Sequence, residues 1–292
     1  MALTIHLGAH KTASTHLQNS LRMAQGQLRA AGVFYAAPVV LRSPYLPLIP
    51  VLLRPECPDW YRPHLVRVLS EARDICPEVL LSDENLLGGI NRYNLFGGSG
   101  LLYPDAPRRV AETIALAGGG PATLCLAVRD PIRFNLSAFA HLVIRGEEIA
   151  LDQFLRRRDP ARADWVGLVR RLSALPGIAR IVVWRYEDYP ALRPRILARM
   201  LPPALVAQVP DAPPANEGLT QPGYDWFVAR ALADSKVGLR VLARRARMRF
   251  PAADGHAPLR LLPDEDYARS AAGYARQIRQ LRHLPGVELL AP

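Results

Sequence analysis

The chain of 292 residues is short of cysteine, of aromatic residues and of acid, and each shortage narrows what it can be. Its three cysteines, Cys57, Cys76 and Cys125, are an odd, scattered set without metal-ligand spacing, so neither a disulfide framework nor a zinc site is expected. No run of about 18 apolar residues is present to span a membrane. Apolar sequence begins at Leu3, which leaves no room for a signal peptide and predicts a cytoplasmic protein. Aromatic residues are 7% of the chain and do not interleave with its basic stretches, which argues against a nucleic-acid binder that stacks bases. Acidic residues number 26 against 37 Lys and Arg, a formal net charge of +11 carried mainly by arginine. Such a field draws in anionic ligands, although an Arg-, Ala- and Pro-rich composition also follows from a GC-rich genome. No internal repeat is present. Half the residues are hydrophobic, enough for one large α/β core with or without a helical extension.

Against that background the stretch from Leu3 to Leu21 stands out. Leu3-Thr4-Ile5-His6-Leu7 reads as a strand, Gly8-Ala9-His10-Lys11-Thr12-Ala13-Ser14 as a loop, and from Thr15 the spacing of Leu17, Leu21 and Leu28 is helical. Strand, small-residue loop with one Lys, then helix is the anatomy of an anion cradle, because loop amides and a helix N-terminus both present positive charge. The glycine that the Walker loop places before its Lys is missing; His10 stands there. A loop this short should enclose fewer phosphates than one built for a nucleoside triphosphate. An ordinary strand-to-helix turn with an exposed Lys is the plain alternative.

Ala122 to Val128 is a near-continuous apolar run, as a strand buried on both faces should be, and it ends in Arg129-Asp130-Pro131. A helix follows over 132–145, with Pro131 suited to its first position and Ser137 eight residues after Arg129. An Arg at a strand end and a Ser on the next helix can clamp a phosphate, one by charge and one by its hydroxyl; a surface Arg and a helix-face Ser would look the same. Val79 to Asn85 is another strand candidate, ending in Asp83 and Glu84, and strand alternation predicts that these two carboxylates face opposite ways.

Together these motifs resemble the sulfotransferase family that uses 3′-phosphoadenosine 5′-phosphosulfate (PAPS), over residues 3–200 in order. Lys11-Thr12-Ala13-Ser14-Thr15 is similar to its 5′-phosphosulfate loop, and Arg129 with Ser137 to its 3′-phosphate site. Ile181 to Asp188 is similar to its strand ending in Tyr-Glu-Asp, whose Tyr, here Tyr186, lies near the adenine. The wording HLGAHKTASTHLQ and RDPIRFNLSAF resembles bacterial carbohydrate-type members more than the cytosolic steroid and phenol enzymes. Two features depart from those cytosolic enzymes: His16 stands where they carry an aromatic, and no basic loop of RKG type follows residue 200.

The resemblance implies a central parallel sheet flanked by helices, in the P-loop-type sulfotransferase arrangement, with PAPS as donor, PAP as product and no metal. It implies an acceptor hydroxyl or amine on a glycan or other small molecule, and the basic field favours an anionic one. Cofactor contacts are implied at His10, Lys11, Thr12, Ala13, Ser14, Thr15, His16, Arg129, Ser137 and Tyr186. Lys11 would offset leaving-group charge and Glu84 would be the base, with His10 and His141 in reserve. Two other classes stay open: a P-loop kinase or nucleotidase with Thr12 and Asp83 on magnesium, and a non-catalytic binder of nucleotides or acidic glycans.

The remaining chain is less informative. Residues 36–63 carry seven prolines and are predicted to be irregular or broken into short helices, one wall of an acceptor site or plain packing. Helices are expected over 64–75, 106–117, 151–175 and 190–205. From Asn216 only helix is expected, at 224–242 and 265–284, so the expected domains are a 1–215 core and a 216–292 helical extension packed on it. Lys236, Arg240, Arg244, Arg245, Arg247 and Arg249 form a basic cluster open to a polyanionic acceptor, a membrane surface or solvent alone.

Overall fold

The structure, a computed structural model, describes residues 2–54, 56–156, 158–215, 218–233 and 236–292, with the backbone but not the side chain of Arg92. Its strands are β1 (Ala2–His6), β2 (Val33–Ala36), β3 (Glu78–Ser82), β4 (Ala122–Val128), β5 (Ile178–Arg185) and β6 (Val287–Leu290). They form one sheet in the order β2-β3-β1-β4-β5-β6, with every pairing parallel. Ile5 in β1 lies opposite Leu81 in β3 and Leu124 in β4, three fully buried side chains at the centre of the sheet. Such continuous apolar strands are stable only when helices cover both faces.

The principal helices are α1 (Ser14–Met23), α2 (Tyr61–Ile75), α3 (Ala106–Leu116), α4 (Pro131–Ile144), α5 (Trp165–Ser173), α6 (Tyr189–Met200), α7 (Gln221–Ala233), α8 (Leu239–Arg249) and α9 (Asp264–Arg282). One face of the sheet, through Tyr35, Leu80, Cys125, Val182 and Trp184, packs on Leu17 and Leu21 of α1 and on Leu192 and Ile196 of α6. Parallel strands of this order send the chain from β1 toward β3 and β2, and from β4 toward β5. The carboxyl ends of β1 and β4 therefore flank the point where the chain diverges, which is where open α/β sheets bind ligands.

The chain divides into two compact units. The first holds the sheet and comprises residues up to Arg129, Asp164–Pro213 and Gln277–Pro292; the second comprises Asp130–Ala163 and Pro214–Arg276. In the second unit Ile132, Leu136 and Ala161 pack with Leu151, Leu261, Leu262 and Tyr267, and the buried Ser270 hydroxyl donates to Asp130 at 3.0 Å. The chain enters the second unit at Asp130, returns to the first at Asp164, enters the second again at Pro214 and leaves it at Gln277.

Several sequence expectations are corrected. The carboxyl-terminal stretch is not helix only, because β6 adds to the sheet edge beside β5. The helix expected over 151–175 is two, Leu151–Leu155 and α5, separated by residues 156–164, and the one expected over 224–242 is interrupted between α7 and α8. The strand expected over 79–85 stops at Ser82, since the Asp83 side chain accepts from Asn85 N and caps a 3-10 turn, Glu84–Leu86. All three cysteines are free thiols.

Candidate functional site

The loop between β1 and α1 is wound tightly around the Ala9 carbonyl. Thr12 Oγ1 donates to it at 2.7 Å and Ser14 Oγ at 3.3 Å, while Ala9 N–H donates back to Thr12 Oγ1 at 3.0 Å. Both hydroxyls are buried and shape the loop from inside. Lys11 and Ala13 adopt left-handed φ values of 64° and 63°, so successive amides turn the same way, as in an anion nest. Gly8 is required by close approach: its φ is 50°, and a Cβ there would fall 2.2 Å from Ser14 Oγ. The N–H groups of Thr12, Ala13 and Ser14 meet no acceptor among the described residues. No side chain caps α1, so its N-terminus keeps the dipole's positive end available.

Arg129, at the end of β4, donates from Nη1 to Lys11 O at 2.6 Å, and its guanidinium carbon lies 4.2 Å from the centre of the Tyr186 ring. Its own carbonyl accepts from Trp165 Nε1 at 2.8 Å, which fixes the strand end. Tyr186 opens the 3-10 turn Tyr186–Asp188 that follows β5. Thus Lys11, Arg129 and Tyr186, drawn from three neighbouring strand ends, form one contiguous group at the carboxyl edge of the sheet.

A second polar group sits at the end of β3. Arg42 grips Asp83 with two bonds, Nε to Oδ2 at 2.7 Å and Nη2 to Oδ1 at 2.6 Å, and Nη2 also reaches Glu84 Oε1 at 3.1 Å. Glu84 Oε2 accepts from Gln18 Nε2 on α1 at 3.1 Å. The expectation that the two carboxylates face apart is corrected: once the strand ends at Ser82, the turn brings both onto one guanidinium. Burial drives the Asp83 carboxyl above its ordinary value against the pull of Arg42. Burial would also raise Glu84, but the charges of His10 and Arg42 and the Gln18 hydrogen bond outweigh it and hold that carboxyl below its ordinary 4.5.

His10 is buried between these two groups. Its Nδ1 is 3.0 Å from the Tyr103 hydroxyl, which also accepts from His10 N–H at 3.2 Å, and its Nε2 is 3.2 Å from the Asn85 amide. With its nitrogen facing His10, that amide also donates to Gly88 O at 3.3 Å and accepts from Arg42 Nη2 at 3.1 Å. Burial, only partly offset by Glu84 and Asn85, lowers the His10 pKa. Beneath the loop, His6 Nδ1 is 2.7 Å from Ser82 Oγ, and the His6 ring stacks on Trp184 at 6.1 Å between centroids. Burial, opposed by Glu84, lowers the His6 pKa to about 4.

His16 is engaged within the first unit, its Nδ1 2.8 Å from the Tyr189 hydroxyl and its Nε2 3.4 Å from Asp211. Thr15 lies half-buried in the first turn of α1. Ser137 and His141 lie on α4 in the second unit, both half-buried. Sequence reasoning missed Arg42, Gln18, Asn85, Tyr103 and His6. Gln18 and His6 stood inside the stretch singled out, and Asn85 directly follows the two carboxylates; Arg42 and Tyr103 carried no sequence signal.

No family model and no curated protein matches the chain. Solved structures that resemble it include a sulfotransferase from Alicyclobacillus acidocaldarius, at 14% identity and a TM-score of 0.41 over 84% of this chain and 96% of that one. Another is retinol dehydratase in complex with androsterone and inactive cofactor PAP, at 14% identity and a TM-score of 0.31 over 71% of this chain and 62% of that one. At these values neither likeness assigns an activity or a ligand to this chain.

Proposed function

We propose that this protein is a PAPS-dependent sulfotransferase, moving a sulfuryl group to a hydroxyl or amine of a carbohydrate-like or other small acceptor. The observation that carries the proposal is the meeting of Lys11, Arg129 and Tyr186, in which the Arg129 guanidinium bonds the Lys11 carbonyl and lies over the Tyr186 ring. The donor set fits the nucleotide chemically: the loop offers amides that meet no acceptor among the described residues beside one lysine, the next strand end offers an arginine, and an aromatic ring stands beside it. Lys11 and the Thr12–Ser14 amides would hold the 5′-phosphate, Arg129 the 3′-phosphate, and Tyr186 the adenine side.

PAPS supplies the sulfuryl group and a phosphate leaving group, so the chain's contribution is positioning and charge. Glu84 is held by one donor on each oxygen and is ionised at neutral pH, the form that can accept the acceptor's proton. Lys11 and the loop amides offset the charge that gathers on the leaving phosphate. A kinase reading is disfavoured by particular bonds: Thr12 Oγ1 is taken up by Ala9, and both Asp83 oxygens by Arg42.

The test follows PAP release from PAPS across an acceptor panel without magnesium. Lys11→Ala is expected to lower turnover about 100- to 1,000-fold at a wild-type melting temperature, and Glu84→Gln about 100- to 10,000-fold in a protein that still folds and binds PAP. Full turnover in Glu84→Gln, with loss in His10→Gln, would move the base to the imidazole. PAP binding without turnover of any acceptor would leave a binding protein, not an enzyme.

A further inference from the structure

The sequence from Lys236 to Phe250 holds six cations and no carboxylate. Most of it forms α8, whose buried face is Leu242, Ala243 and Ala246. That face packs with α7 and α4 inside the second unit. The fit at its start is close, since a Cβ on Gly146 would meet Arg240 Cβ at 2.9 Å and Arg240 N at 3.0 Å. The orientation of α8 within the second unit is therefore fixed, and its other face is exposed.

That exposed face has an ordered arrangement. Val241 and Met248 are seven residues apart, which places them within about 20° of each other around the helix and two turns apart along it. They are 46% and 72% exposed. Arg244 and Arg245 fall on either side of this apolar ridge, with Arg240 and Arg249 further out on each flank. None of these four arginines makes an ion pair with a described carboxylate. Arg249 leans over the Phe250 ring at 5.6 Å.

An apolar ridge between two rows of arginine is the pattern of a helix that lies in a lipid interface. The ridge enters the boundary between headgroups and acyl chains, and the arginine stems lie along it while the guanidinium groups meet anionic headgroups. A soluble polyanion would use the arginines but gain nothing from an exposed Met248. We propose that the exposed face of α8 is a docking surface for an anionic phospholipid membrane. This is independent of the sulfuryl-transfer reading.

Co-sedimentation of the full chain with phosphatidylcholine vesicles, with and without phosphatidylglycerol, tests this. Wild type is expected to bind only the anionic vesicles, with binding lost as salt rises. Each arginine removed should weaken partition about 5-fold, so the R240Q/R244Q/R245Q/R249Q variant should not sediment. The single variants R244Q and R245Q should each show one such step if the fourfold variant does not fold. V241S/M248S, with every charge intact, should weaken partition about 10-fold or more. No binding to anionic vesicles would overturn the proposal. So would vesicle binding that V241S/M248S leaves unchanged, with equal binding to heparin, since the partner would then be a soluble polyanion.

Discussion

At the scale of the residue, His6 has the sharpest measurable consequence. It is fully enclosed between Ser82 and Trp184, and burial, opposed by Glu84, takes its pKa from 6.5 to about 4. Between those values the unfolded chain binds a proton that the folded chain refuses, so stability falls as pH drops from 6.5 toward 4 and levels off below. The loss from this one group is on the order of 3 kcal/mol. Urea unfolding at pH 6.5 and pH 4 should show that loss in wild type and a smaller one in His6→Gln, which keeps a donor for Ser82 and cannot titrate. An equal loss in the two proteins would mean that His6 is not a buried neutral imidazole. Residues of this kind were hard to read in advance. Arg42 gathers Asp83 and Glu84 from 41 and 42 positions away, and Tyr103 meets His10 from 93 away. Hydrogen bonds of that reach leave no periodic trace in a sequence, whereas Lys11, Arg129 and Tyr186 each follow an apolar strand that does.

At the scale of the element, the β1–α1 loop holds its form through one glycine and two hydroxyls. Gly8→Ala would need a left-handed Cβ residue and would drive that Cβ into Ser14 Oγ, 2.2 Å away. Destabilisation of about 2 kcal/mol is expected, with the loss of nucleotide binding exceeding what unfolding explains. Thermal melting and nucleotide titration of the same sample check this; unchanged binding would show that the loop's winding is not what the ligand recognises. Of the strands, β4 had the clearest sequence signal, a seven-residue and nearly continuous apolar run, and β1 and β3 carried shorter ones. The edge strand β6 has four residues, Val287–Leu290, and a parallel edge strand needs no hairpin turn to announce it. The carboxylate strand was read too long because Asp83 caps a turn through its own side chain, a local bond that strand periodicity does not reveal.

At the scale of the whole molecule, composition set bounds that the fold then filled. Half the chain is hydrophobic, and the apolar runs became a six-stranded parallel sheet with helices packed on it. The division into two units was not legible, because residues 130–163 and 214–276 meet only after the chain has completed β5. Among the described residues no helix is long and apolar enough to cross a membrane. The +11 charge favours any anionic ligand, and selectivity must come from a site. The most direct measurement is thermal melting of the wild-type chain with equal concentrations of PAP and AMP, which differ by the 3′-phosphate alone. Binding to the folded state stabilises it by RT ln(1 + L/Kd), with L the free ligand concentration, so at equal concentrations the tighter ligand raises the midpoint more. A PAP shift several degrees larger than the AMP shift, reduced toward it in Arg129→Lys, is the expected result. Equal shifts from PAP and AMP would contradict the assignment of Arg129 to a 3′-phosphate and, with it, the proposed use of PAPS.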